Sequence, residues 1–170
     1  MHILVLGAAG MVGRKLTERL VRDGRLGGRE ITRLTLQDVV APQNPAGNAI
    51  PTKLVTSDFA DPGTAAPLVA ERPDVIFHLA AIVSGEAEVE FDKGYRINLD
   101  GTRYLIDAIR AIGGGYKPRL VFTSSVAVFG APFPDKIGDE FFHTPLTSYG
   151  TQKAICELLI ADYTRKGLLD

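Results

Sequence analysis

A short apolar run at residues 3–6, Ile-Leu-Val-Leu, passes directly into Gly7-Ala8-Ala9-Gly10-Met11-Val12-Gly13 and then into a segment of helical period. No other part of the 170 residues constrains the fold as much. Four consecutive apolar residues bounded by glycine read as a short strand buried on both faces. Val12, Leu16, Leu20 and Val21 then share one helix face, and Asp23-Gly24 stops the helix. A strand that turns tightly into a helix is the first unit of a parallel α/β sheet.

The alternation continues along the chain. Residues 31–36, 53–55, 75–79 and 120–124 are predicted strands. Asp61-Pro62 predicts the start of a short helix that ends near Arg72-Pro73, since proline suits a first helical turn. Residues 91–112 predict one long helix, with Ile97, Leu105, Ala108, Ile109 and Ile112 at helical spacing and Gly113-Gly114-Gly115 beyond it. Ser148 is the expected cap of a last helix over 149–165. Right-handed crossovers then give a Rossmann-type doubly wound parallel sheet, an α/β fold that gathers ligands at the carboxyl ends of its strands. Residues 1–170 read as one such nucleotide-binding domain. The stop just past Arg165-Lys166-Gly167 predicts that a C-terminal substrate domain is missing from this chain.

Composition narrows the class. A net charge of −1 offers no attraction to nucleic acid or an anionic membrane. No apolar run approaches the ~20 residues of a membrane span, and residues 1–6 are too short for the apolar part of a signal peptide. The single cysteine, Cys156, cannot form an internal disulfide, which suits a reducing compartment. The expectation is a cytoplasmic protein acting on a small molecule, with no metal cluster.

The candidate site residues lie at the strand ends. Gly7, Gly10 and Gly13, with Met11 and Val12 between them, let the backbone approach a pyrophosphate, while the helix N-terminus offers it free N–H groups. The spacing is G-x-x-G-x-x-G, and a plain tight turn would also use it. Asp38, at the end of the second strand, suits the adenosine ribose hydroxyls and would repel the 2′-phosphate of NADP, so the expected cofactor is NAD. Asp58 suits the adenine amino group with the Phe59 backbone beside it, or equally a helix N-terminus. Leu79, Ala80 and Ala81 leave room for a cofactor to cross. His78, with no Cys, Asp or Glu cluster beside it, reads as a packed residue. Cys156 reads as a small buried residue.

Tyr149 and Lys153 stand at i and i+4, on one helix face. A free phenol, with a pKa of about 10, needs a nearby cation to act as a base near neutral pH, and Lys153 supplies one. Such a pair is common on ordinary helices. Thr123-Ser124-Ser125 at a strand end adds a hydroxyl, Ser125, that can hold the reacting oxygen, with Ser124 or Thr123 nearer the cofactor.

Glycine loop, Asp38, Ser125 and Tyr149/Lys153 occur in the order of the short-chain dehydrogenase/reductase superfamily. G-A-A-G-M-V-G at 7–13, H-L-A-A at 78–81, N-L-D-G-T at 98–102, S-S-V-A-V-F-G at 124–130 and S-Y-G-T-Q-K at 148–153 resemble its extended branch, the NAD-dependent epimerase/dehydratase family. Two positions depart from the pattern: Leu6 where the family often has threonine, and Phe129 where it usually has tyrosine. The resemblance implies Ser125, Tyr149 and Lys153 as catalytic residues, with Lys153 also on the nicotinamide ribose and Asn98 at the cofactor. Residues 129–132, 139–140 and 144–150 resemble family members that oxidise the C2 hydroxyl of a four-carbon sugar acid. The resemblance also implies a homodimer paired through the long and last helices. A nucleotide-sugar epimerase or dehydratase, and a non-catalytic dinucleotide-binding module, remain open alternatives.

Overall fold

The computed structural model describes residues 1–170. The chain runs through β1 (His2–Leu6), α1 (Met11–Asp23), β2 (Arg25–Leu26), β3 (Arg29–Glu30), β4 (Arg33–Asp38), β5 (Thr52–Thr56), α2 (Ala65–Ala70) and β6 (Val75–His78). It continues through α3 (Ser84–Val89), α4 (Phe91–Gly94), a π-helical segment Tyr95–Asp100 and α5 (Gly101–Ile112). The last part holds β7 (Arg119–Phe122), a 3₁₀ turn Val126–Val128 and α6 (Ser148–Arg165). Five strands form a parallel sheet in the order β5-β4-β1-β6-β7.

The period of two along each strand divides the core. Ile3, Val5, Leu34 and Leu36 face the α1 side with Leu20. Leu4, Leu6 and Ile76 face the other side, against Leu68 and Val69 of α2 and Leu105, Ile106 and Ile109 of α5. Each fully buried side chain of this kind contributes about 1.5–3 kcal/mol. Register then places the site: Leu6 lies level with Gln37 of β4 and His78 of β6. The residues that follow these three strands therefore meet at one end of the sheet. At the chain end Leu169 is buried in the core, and the Asp170 backbone bonds to Pro118 O and Leu120 N beside β7.

Several elements differ from expectation. The second long strand begins at Arg33, because a β2–β3 hairpin comes first, turning on Gly27 and Gly28 at φ 56° and 80°. Ile31 packs in the core under α1 instead. The short helix begins at Ala65, after Gly63 leaves helical torsions at φ 89°. Thr147, not Ser148, caps α6, its hydroxyl accepting from Gly150 N at 3.0 Å. The stretch 91–112 is one helical run, but its middle, Tyr95–Asp100, is π-helical. No helix is long and apolar enough to cross a membrane.

Candidate active site

At the carboxyl end of β1, Gly7 takes φ 84°. A Cβ there would lie 2.7 Å from Ala80 N, so only glycine lets β1 leave the sheet beside the end of β6. A Cβ on Gly13 would lie 2.1 Å from Gly7 O. Gly13 is thus a packing glycine that seats α1 on the loop. Gly10 caps α1 with no side-chain bond, and no acidic residue occupies the first turn. The first N–H groups of α1 are left for an anion. Met11 and Val12 are exposed beside them.

A cavity of about 360 Å³ opens here, lined by Gly7, Gly10, Asp38, Asp58, Phe59 and Ala80 among others. Leu79 and Ala81 also border it, as do Val39, Val40, Ile82 and Ile97, which sequence reasoning missed. Asp38 Oδ2 accepts from Ala9 N at 2.8 Å and Oδ1 from Val40 N at 3.1 Å. It therefore braces the glycine loop as well as facing the cavity. Phe59 is buried, with its ring 5.1 Å from that of His78, and borders the cavity. Asp58 is not a free carboxylate. Arg96 reaches Asp58 at 2.7 Å and Asp61 at 3.1 Å. Burial disfavours the Asp58 charge, but the bonds from Arg96 and Ala60 N outweigh it and hold the carboxyl below its usual range. Arg96 sits in the π-helical segment, whose register a heptad-like apolar pattern does not disclose.

Ser125, Tyr149 and Lys153 lie outside that cavity, at the carboxyl end of β7. Ser125 Oγ accepts from Ala127 N at 3.1 Å and so caps the 3₁₀ turn. Gly150 brings this turn to α6: a Cβ on it would lie 2.1 Å from Ala127 O. Tyr149, next in sequence to Gly150, is half-buried. Lys153 is 2% exposed and its Nζ donates to Thr123 O at 2.9 Å. The ammonium lies 4.5 Å from the Phe122 ring centroid and 5.8 Å from that of Tyr149. Burial lowers its pKa to about 8, against opposing contributions from Cys156 and Glu157. The other strand-end hydroxyls are committed elsewhere: Ser124 to Glu157, Thr123 to His78 O at 3.2 Å.

Asn98 does not face the cavity. It is 2% exposed; Oδ1 accepts from Ile82 N at 2.9 Å, and Nδ2 donates to Ile82 O at 3.2 Å and Gln152 Oε1 at 2.8 Å. Its side-chain amide is used up inside the fold, tying the π-helical segment to the residue before Lys153. Cys156 is fully buried, with Sγ donating to Asn98 O at 3.2 Å.

His78 is the packed residue expected. Thr102 Oγ1 spends its proton on Asn98 O at 2.9 Å, so at 2.8 Å it accepts from His78 Nε2–H. Nδ1 is buried without a partner. Burial, then the Lys153 charge, push the His78 pKa down to about 3. Between about 6.5 and 3 the unfolded chain binds a proton that the native ring refuses, so stability falls as pH falls through that window. From pH 7 to 4.5 the wild-type full-length protein is expected to lose about 2–3 kcal/mol more unfolding free energy than His78→Asn. Urea titrations at both pH values check this; equal losses in the two proteins would refute it.

A parallel sheet in this strand order with a glycine turn opening α1 defines a Rossmann-like α/β domain. The chain belongs to the NAD dependent epimerase/dehydratase family, whose profile matches residues 3–170. It is 43% identical to D-erythronate dehydrogenase of Cupriavidus necator over 100% of this chain and 52% of that protein. A crystal structure of a nucleoside-diphosphate-sugar epimerase from Agrobacterium tumefaciens is 67% identical, with a TM-score of 0.97 over 100% of this chain and 50% of that one. A point mutant of uronate dehydrogenase from Agrobacterium tumefaciens, complexed with NAD, is 32% identical, with a TM-score of 0.77 over 97% of this chain and 56% of that one. The chain spans about half the length of these relatives.

Proposed function

We propose that the protein binds NAD and oxidises the C2 hydroxyl of a sugar acid such as D-erythronate to the 2-oxo acid. The observation that supports this most is the packing of the 3₁₀ turn capped by Ser125 against α6 at Gly150, next to Tyr149 and one turn before Lys153. The identity to D-erythronate dehydrogenase supports the substrate class.

The cavity fits the adenosine end of NAD. Its uncapped helix N-terminus suits the phosphates and Asp38 the ribose hydroxyls. Asp58, already paired with Arg96, keeps acceptor capacity for the adenine amino group. Bound NAD⁺ supplies the hydride acceptor. Ser125 keeps its O–H for the substrate oxygen, because its own oxygen accepts from Ala127 N. Tyr149 is the group that takes the hydroxyl proton, and the Lys153 ammonium, 5.8 Å from its ring centroid, is the cation beside it. Thr123 O uses one of the three Lys153 donors, so two remain for the nicotinamide ribose.

Full-length protein given NAD⁺ and D-erythronate is expected to accumulate NADH, followed by absorbance. Absence of NADH with D-erythronate, alongside turnover of another substrate, refutes the assignment. The name of the 67% identical Agrobacterium protein favours a second reading, nucleotide-sugar epimerisation. In that reaction hydride returns to the sugar, so the same assay with a nucleotide sugar would show epimer and no net NADH. We also propose a homodimer paired through α5 and α6, where Leu158 is 63% exposed; a monomer in sedimentation would refute it.

A further inference from the structure

Glu157 lies one helical turn beyond Lys153 and two beyond Tyr149 on α6. Its carboxylate has two partners from outside the helix. Oε1 accepts from Ser124 Oγ, and Oε2 lies 2.8 Å from His143 Nε2, an ion pair when the ring is protonated. Ser124 immediately precedes Ser125. His143 belongs to residues 130–147, which join the 3₁₀ turn to α6 without helix or strand. Connections longer than about 12–15 residues without regular structure are uncommon in compact domains and usually functional.

The two ends of this connection are tied to each other, and its middle is not. Thr144 N donates to Val128 O at 2.9 Å, and Thr144 Oγ1 accepts from Gly130 N at 2.9 Å. The His143 ring faces Phe129 at 6.1 Å, and Phe129 packs on Phe141 at 5.7 Å. Residues 131–140 are all exposed. His143–Glu157 fastens the loop to the helix that carries Tyr149 and Lys153, about three turns beyond the Thr147 cap.

We propose that Glu157 is a positioning residue: it holds loop 130–147 and the Ser125 turn in one geometry, making the loop a wall of the cleft that receives the alcohol. An exposed ion pair by itself contributes about 0–1 kcal/mol. The leverage here comes from geometry. Misplacing a reacting group by about 1 Å costs on the order of 100-fold in rate, and Ser125 moves with Ser124. The kinetic consequence rests on the alcohol oxidation proposed above; the mechanical link does not.

The test compares full-length wild type with His143→Ala, Glu157→Ala and Glu157→Gln by amide hydrogen exchange, thermal unfolding and turnover. His143→Ala is expected to speed exchange at 141–147 and, across the Glu157 bridge, at Ala127, Val128 and Phe129. It is expected to raise the substrate KM and lower kcat to a combined loss of about 10- to 100-fold, with the KM for NAD⁺ unchanged. Because it leaves the Glu157 charge beside Lys153, this variant separates positioning from electrostatics. Glu157→Ala should match or exceed it. Glu157→Gln, which keeps the shape and can still accept from Ser124 Oγ, should recover most of the protection at 127–129 and part of the rate. Unchanged exchange at 127–129 in a folded His143→Ala protein overturns the proposal, as does unchanged turnover. Coupled exchange changes in a wild-type protein that oxidises no sugar acid would uphold the link and refute the proposed function.

Discussion

Tyr149→Phe in the full-length protein is expected to lower kcat/KM for NAD-dependent oxidation by about 10³-fold or more, the upper range for loss of a positioned base. Phenylalanine keeps the ring beside Lys153 and removes only the oxygen that takes the proton, so NAD affinity should change little. Lys153→Met should lose a comparable amount of activity while gaining stability. The ammonium is buried among Thr123, Phe122 and Tyr149, and its pKa falls from 10.5 to about 8. Below pH 8 both folded and unfolded chains carry the proton, and the cost of burying it, at most about 3 kcal/mol, is fully present. Between about 8 and 10.5 the unfolded chain binds more protons than the native one, so wild-type stability rises with pH. Lys153→Met lacks that rise. Denaturant titrations at pH 7 and 9.5, read as wild type minus variant, should show the difference narrowing in favour of wild type at the higher pH. Parallel curves would mean that Lys153 is not desolvated, and an active Tyr149→Phe would remove tyrosine from the chemistry.

A single methyl group at Gly13 is expected to weaken NAD binding by about 100-fold or more and to destabilise the fold by about 1–3 kcal/mol. The new Cβ would lie 2.1 Å from Gly7 O and 2.8 Å from Ala8 Cα, both backbone atoms of the loop proposed to receive the phosphates. Neither can swing aside as a flexible side chain would. Either α1 lifts from the loop or Gly7 leaves its place beside Ala80, and each outcome spoils the cradle. Gly85→Ala is the control, because it has open space and sits in α3. That substitution should leave NAD binding unchanged and gain up to about 1 kcal/mol from helix propensity. Calorimetric titration with NAD⁺ measures the first effect and urea unfolding the second. Equal affinities for Gly13→Ala and wild type would show that the loop tolerates displacement.

What the sequence by itself determined were the features carried by local torsion and period. The apolar run at 3–6, the glycine turn and the helical spacing of Val12, Leu16 and Leu20 specify β1, the loop and α1 without reference to distant residues. The same holds for Tyr149 and Lys153, which any helix must place on one face. His78 was legible as a packed residue because no partner chemistry accompanied it.

Only the tertiary structure decided which polar groups meet. Arg96 finds Asp58 across 38 residues, Asn98 finds Gln152 across 54, and Glu157 finds Ser124 across 33. Each pairing depends on how a helix crosses the sheet. The first two also depend on a π-helical turn at Tyr95–Asp100, which shifts side chains off the 3.6-residue spacing by which the long helix was recognised. In that turn the Asn98 amide bonds Ile82 and Gln152 and braces α6. The apolar pattern of 91–112 records which face is buried, and it is nearly the same with or without the extra residue in the turn.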